Sequence, residues 1–141
     1  MTELLRLQME FTKLSTPLVP KAIELGYGVV WGEVARSDEQ AEINALGKVG
    51  RAELVEYLSM DGAWQALAKA IENNTGSGIR RSLHRLCLAV DLKLFKDDTY
   101  LTDTQSYRPL GEWWELQHPL ARWGGRFGDG SHFSFEWKGV R

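Results

Sequence analysis

The stretch SLHRLCLAVDLKLF, residues 82–95, sets His84 and Asp91 seven residues apart in an otherwise apolar run, with the chain's one cysteine, Cys87, between them. Near the C-terminus, DGSHFSF places His132 at the head of an alternating segment, with Asp129 three residues before it. Two histidines and one carboxylate form a ligand set used by catalytic zinc ions, which leaves a fourth position for water. On that reading His84, Asp91 and His132 bind the metal, and Asp129 is a second carboxylate beside it. A carboxylate within hydrogen-bond reach can take a proton from the attacking water and later pass it to a leaving amine. The bland alternative is a pair of satisfied core histidines, and spacing alone does not decide whether the three residues meet.

Seven residues is an odd separation, so a straight strand would point His84 and Asp91 to opposite faces. If both bind one metal, the chain must turn between them, with the strand beginning after His84 and carrying Asp91. A thiolate also binds zinc, but the odd offset of Cys87 from His84 along a strand aims it away, so Cys87 is expected as a small core residue.

Elements able to hold these residues can be read from periodicity. Leu4, Leu5, Leu7, Met9, Phe11 and Leu14 describe an amphipathic helix, interrupted or restarted at Pro17 and Pro20. PKAIELG is a second short helix stopped at Gly26, and YGVVWGE is a strand bounded by glycines. SDEQAEINALG has a serine cap and an acidic first turn, which predicts a helix. RAELVEYLSMDGAWQALAKAIENN predicts two helices broken near Asp61-Gly62. LCLAVDLKLF is a mostly buried strand, DDTYLTD a turn with a short extended piece, and YRPLGEWWELQHP a helix punctuated by Pro109 and Pro119. Its Trp113 and Trp114 divide into one core and one partly exposed ring, and His118 is a capping or surface residue. GSHFSFEW closes the chain as an alternating strand. The fold class is α+β: a small antiparallel sheet packed against several helices.

With 141 residues the chain is expected to be one domain spanning 1–141, large enough for a core without disulfides. A formal charge of −2 gives no basic field for nucleic acid, and a monomer is expected. Charge is uneven, however. Residues 78–96 carry Arg80, Arg81, Arg85, Lys93 and Lys96 against Asp91 alone, which suits a carboxylate-rich peptide as well as it suits a solvated strand edge. One cysteine makes no internal disulfide, no apolar run reaches the roughly 20 residues of a membrane span, and the N-terminus lacks the pattern of a secretory signal. The expectation is a protein made and held in the cytoplasm.

Three motifs then carry a resemblance. SLHRLCLAVD resembles the S-x-H-x(6)-D signature of the zinc D-Ala-D-Ala carboxypeptidase and L-alanyl-D-glutamate endopeptidase family. WGGRFGDGSHFSFE resembles that family's closing W-G-G-x-F-x-D-x-x-H-F motif, and GEVARSDEQAEIN is similar to its upstream G-E-x-x-R-[ST]-x-E-Q element. The motifs occur in the family's order, and LFKDDTYLTDTQSYRPLGEWWE resembles its phage endolysin branch; residues 48–79 are the least typical. The resemblance implies a hedgehog-type fold, Zn2+ held by His84, Asp91 and His132, and Asp129 as general base and acid. It implies Arg36 as the side chain that holds the substrate carbonyl and stabilises the oxyanion. Gln40 and Ser82 fall on supporting substrate-contact positions, and Trp123 either walls the site or packs in the core. Where many relatives have glycine, this chain has Cys87. The implied substrate is the peptide stem of bacterial peptidoglycan, cut at L-alanyl-D-glutamate by an enzyme released from the cytoplasm to the wall. Two alternatives stay open: a D-Ala-D-Ala carboxypeptidase, or a zinc-containing binding module of the same fold that has lost catalysis.

Overall fold

Thr2 caps the first helix, α1 (Glu3–Ser15), its hydroxyl accepting from the Leu5 N–H at 3.2 Å. In this computed structural model the described residues are 1–37, 47–60, 65–72 and 82–141. The second helix, α2 (Leu18–Glu24), begins two residues before Pro20, because a proline in the first turn gives up an N–H that has no helical partner there. It ends as the sequence predicts. Gly26 adopts φ +87°, which lets Tyr27 N–H reach back to Ala22 O at 3.0 Å.

The chain divides into two compact units, residues 36–82 and the remainder. In the first, α3 (Gly47–Ser59) packs against α4 (Gln65–Glu72), whose Ala68 and Ile71 are buried. These are the two helices expected on either side of Asp61-Gly62, a break that lies outside the described residues. The helix expected over SDEQAEINALG also lies mostly outside them.

The other unit is built on an antiparallel sheet of β1 (Gly28–Trp31), β2 (Ala89–Lys96), β3 (Thr99–Tyr100), β4 (Ala121–Trp123) and β5 (His132–Phe135). The order is β1-β2-β5-β4, with β3 folding back on β2 through a turn at Asp97 and Asp98. Val90 pairs with Phe133 and Phe133 with Trp123, so those side chains share one face with Leu92, Leu94 and Phe135. Helix α5 (Arg108–Glu115) and α1 supply Trp114 and Phe11, which meet Phe135 with ring centroids 5.7 and 5.3 Å away. Trp114 is buried and Trp113 half-buried, the division expected of the pair. Alternation then turns Asp91 and His132 to the opposite face. The architecture is the expected α+β fold with an antiparallel sheet.

Two details hold the sheet's far end. Tyr107, just before α5, buries its hydroxyl between β2 and the loop after β3, accepting from Leu94 N–H at 3.1 Å and donating to Leu101 O at 3.0 Å. Burial pushes its pKa up to about 12, against the opposing pull of the Leu94 hydrogen bond. His118 accepts from Leu120 N–H through Nδ1, so its Nε2 carries the proton and faces Glu10 of α1 at 3.3 Å, while the ring stacks on Phe135. It is thus a half-buried tie between helices and sheet rather than a surface cap.

Candidate metal centre

Asp91 of β2 stands directly across from His132 of β5, and antiparallel partners project to the same side. Their atoms Oδ1 and Nδ1 are 3.1 Å apart. His84 comes from outside the sheet. It sits in a 3-10 turn, Leu83–Leu86, before β2, buried and with Nε2 3.3 Å from both Asp91 Oδ1 and His132 Nδ1. The strand therefore starts after His84, and the turn resolves the odd spacing. Among the described residues, these three form the one group of candidate ligand atoms that lie mutually close.

The triangle of 3.1, 3.3 and 3.3 Å suits a small cation. Ligand atoms about 2.0–2.1 Å from a tetrahedral centre lie about 3.3–3.4 Å from one another. Protons satisfy the same triangle less well. Burial pushes the Asp91 carboxyl up, but hydrogen bonds from His132 and His84 and their charge outweigh it and hold the pKa at about 2, so the group is ionised. If neither facing nitrogen is protonated, all three edges join lone pairs. If one is, the other nitrogen and the carboxylate still oppose lone pairs; if both are, two N–H groups face each other at 3.3 Å. A cation shared by all three removes the conflict. The donor set is nitrogen, nitrogen and oxygen, which fits zinc better than calcium or magnesium.

Asp129 lies outside the triangle, on the exposed turn between β4 and β5. Its backbone N–H donates to Gly124 O at 2.9 Å, His132 N–H donates to its carbonyl at 3.3 Å, and Ser131 Oγ donates to its Oδ1 at 2.9 Å. A glycine is obligatory at Gly124, because a Cβ there would collide with Asp129 O and His132 Cβ. Trp123 holds the same turn from below. It is 2% exposed, its indole N–H donates to Gly130 O at 2.8 Å, and its ring lies against Gly111 and Gly125. Its role in this fold is packing beneath the turn.

Arg36 is half-buried and Ser82 buried; both lie in the unit of residues 36–82, at its two ends. Gln40 lies outside the described residues. Cys87 departs from expectation. It is exposed, with φ +51°, at the close of the 3-10 turn and before β2 begins, so strand parity does not apply to it. A left-handed backbone at this position is one that glycine adopts without the steric cost a side chain incurs.

One acidic residue of the neighbourhood was not singled out from sequence. Glu33, just past β1, places Oε2 3.9 Å from His84 Nε2. Two signals were available: the fixed glutamate of the G-E-x-x-R element, and the glycine of WGE at the end of a strand, which often marks a bulge or a close backbone approach.

The chain matches no protein-family model and no curated protein sequence. It is similar to solved structures of a vancomycin-resistance D,D-pentapeptidase, VanY from a VanB-type cassette. One is an E175A mutant in complex with Zn(II), with TM-score 0.48 and 19% identity over 89% of this chain and 70% of that one. The other is VanYB in complex with D-alanine-D-alanine, with TM-score 0.45 and 19% identity over 89% and 69% of the two chains.

Proposed function

We propose that this protein is a zinc metallopeptidase that hydrolyses the peptide stems of bacterial peptidoglycan, an endolysin-type enzyme cutting L-alanyl-D-glutamate bonds. The observation that supports the metal chemistry is the triangle of His84, Asp91 and His132, whose three mutually close ligand atoms suit one shared cation better than any arrangement of protons. The substrate class is supported by the order of the three motifs and their likeness to the wall-peptidase family.

His84, Asp91 and His132 would hold the metal. Bound there, zinc would supply the Lewis acidity that lowers the pKa of a bound water to about 7. Asp129 accepts the proton of the attacking water and returns it to the leaving amine. Its exposure leaves the carboxylate open to solvent and peptide, and the Ser131 hydroxyl orients it. Arg36 is assigned the carbonyl oxygen of the scissile bond, where a fixed guanidinium stabilises developing negative charge. Gln40 and Ser82 are assigned contacts to the bound peptide.

Purified protein with stoichiometric zinc, incubated with isolated wall material and defined stem peptides, is expected to release fragments whose masses place the cut between L-alanine and D-glutamate. Chelator should stop the reaction. Loss of a terminal D-alanine instead would move the assignment to a carboxypeptidase. Intact substrates in the presence of bound zinc would overturn the enzymatic reading.

A further inference from the structure

Beyond β1 the ladder with β2 is irregular. Trp31 pairs with Leu92, so a regular continuation would set Gly32 against Asp91 and Glu33 against Val90. Instead Gly32 N–H donates to Asp91 O at 2.8 Å while Asp91 N–H donates to Glu33 O at 2.7 Å. Two residues of one strand thus oppose a single residue of the other, the pattern of a β-bulge. The extra residue shifts the phase of side-chain alternation. Without it Glu33 would point with Val90 into the core; with it Glu33 joins the face of Asp91. The 3.9 Å approach of its Oε2 to His84 Nε2 places the carboxylate beside the metal triad.

We propose that Glu33 is a positioning carboxylate of the metal centre, carried there by the Gly32–Glu33 bulge, whose negative charge strengthens metal binding without Glu33 being one of the three ligands. This rests on the zinc reading given above. One carboxylate and two neutral imidazoles leave a bound dication with an uncompensated positive charge. Such a charge is costly in a site where His84 is buried and Asp91 only partly exposed. The described part of the segment that carries His84 and Asp91 adds Arg85, Lys93 and Lys96 and no acidic residue besides Asp91. Glu33 supplies the missing unit of negative charge from the opposite strand.

The test measures the zinc dissociation constant of the full chain by competition with a chromophoric chelator, for wild type, Glu33→Gln and Glu33→Asp. The melting temperature of each metal-free protein is recorded alongside. Glu33→Gln keeps the shape and removes the charge, so its dissociation constant should rise about 10–100-fold, with metal-free melting unchanged. Glu33→Asp should recover part of the affinity. Equal zinc affinity in wild type and Glu33→Gln overturns the inference, and wall-peptide cleavage by zinc-loaded wild type would show that the enzymatic reading survives it. A loss of affinity matched by a loss of metal-free stability, with no recovery in Glu33→Asp, assigns Glu33 a packing role and also overturns it. A wild type that binds no zinc removes both readings together.

Discussion

His84 and His132 offer different ring nitrogens to the same point, Nε2 from one and Nδ1 from the other. The choice follows from where each backbone lies. His132 stands across a strand pair from Asp91, so its near nitrogen already reaches the carboxylate, whereas His84 enters from a separate turn and extends its far nitrogen. On the zinc reading, replacing any one of the three breaks the set. His132→Ala should abolish stoichiometric zinc, read by atomic absorption on the dialysed protein. Asp129 behaves differently because it stands outside the triangle. Asp129→Ala should keep its zinc while peptide cleavage falls by about 10²–10⁴-fold. Loss of the metal in that variant would show that Asp129 is itself a ligand.

The next scale is the element, where glycine and tyrosine decide whether the strands can present these residues. At Gly32 an added Cβ would stand 3.0 Å from both Asp91 Cβ and Asp91 O. Gly32→Ala should therefore push β1 off β2 at the bulge, costing about 1–3 kcal/mol in denaturant unfolding and weakening zinc binding at the same time. Tyr107 clamps the other end of β2. Tyr107→Phe leaves Leu94 N–H without its acceptor and should cost about 1–3 kcal/mol. The same hydroxyl sets a pH limit. Its pKa is raised above the ordinary tyrosine value to about 12, so its contribution is complete below pH 10 and is lost as pH rises through about 12. Melting curves between pH 9 and 12 should show a steeper alkaline decline in wild type than in Tyr107→Phe.

Across the whole molecule, a metal at this centre ties the turn before β2 to β2 and to β5, joining residues 48 positions apart in sequence. Zinc that binds only the folded chain adds stability by mass action, about 4 kcal/mol when free metal is a thousandfold above its dissociation constant. Calorimetry should show a melting temperature several degrees lower in chelator, restored by zinc. No helix among the described residues is long and apolar enough to cross a membrane. What the sequence determined by itself was chemical and local. The closing alternation of HFSF, the cap at Gly26 and the division of Trp113 from Trp114 follow from residue type and short-range periodicity, while the H…D…H set was offered by residue type and by the order of the motifs. The turn between His84 and Asp91 was legible too, because parity alone forbids a straight strand. Parity misled at Cys87, since it assumes an extended chain where the backbone is in fact a turn ending at φ +51°. Strand parity would also have placed Glu33 on the core face, whereas one inserted residue moves it to that of Asp91. Only the tertiary structure decides such things, because strand register and bulges are set by hydrogen bonds between segments some 60 residues apart, which no local pattern records.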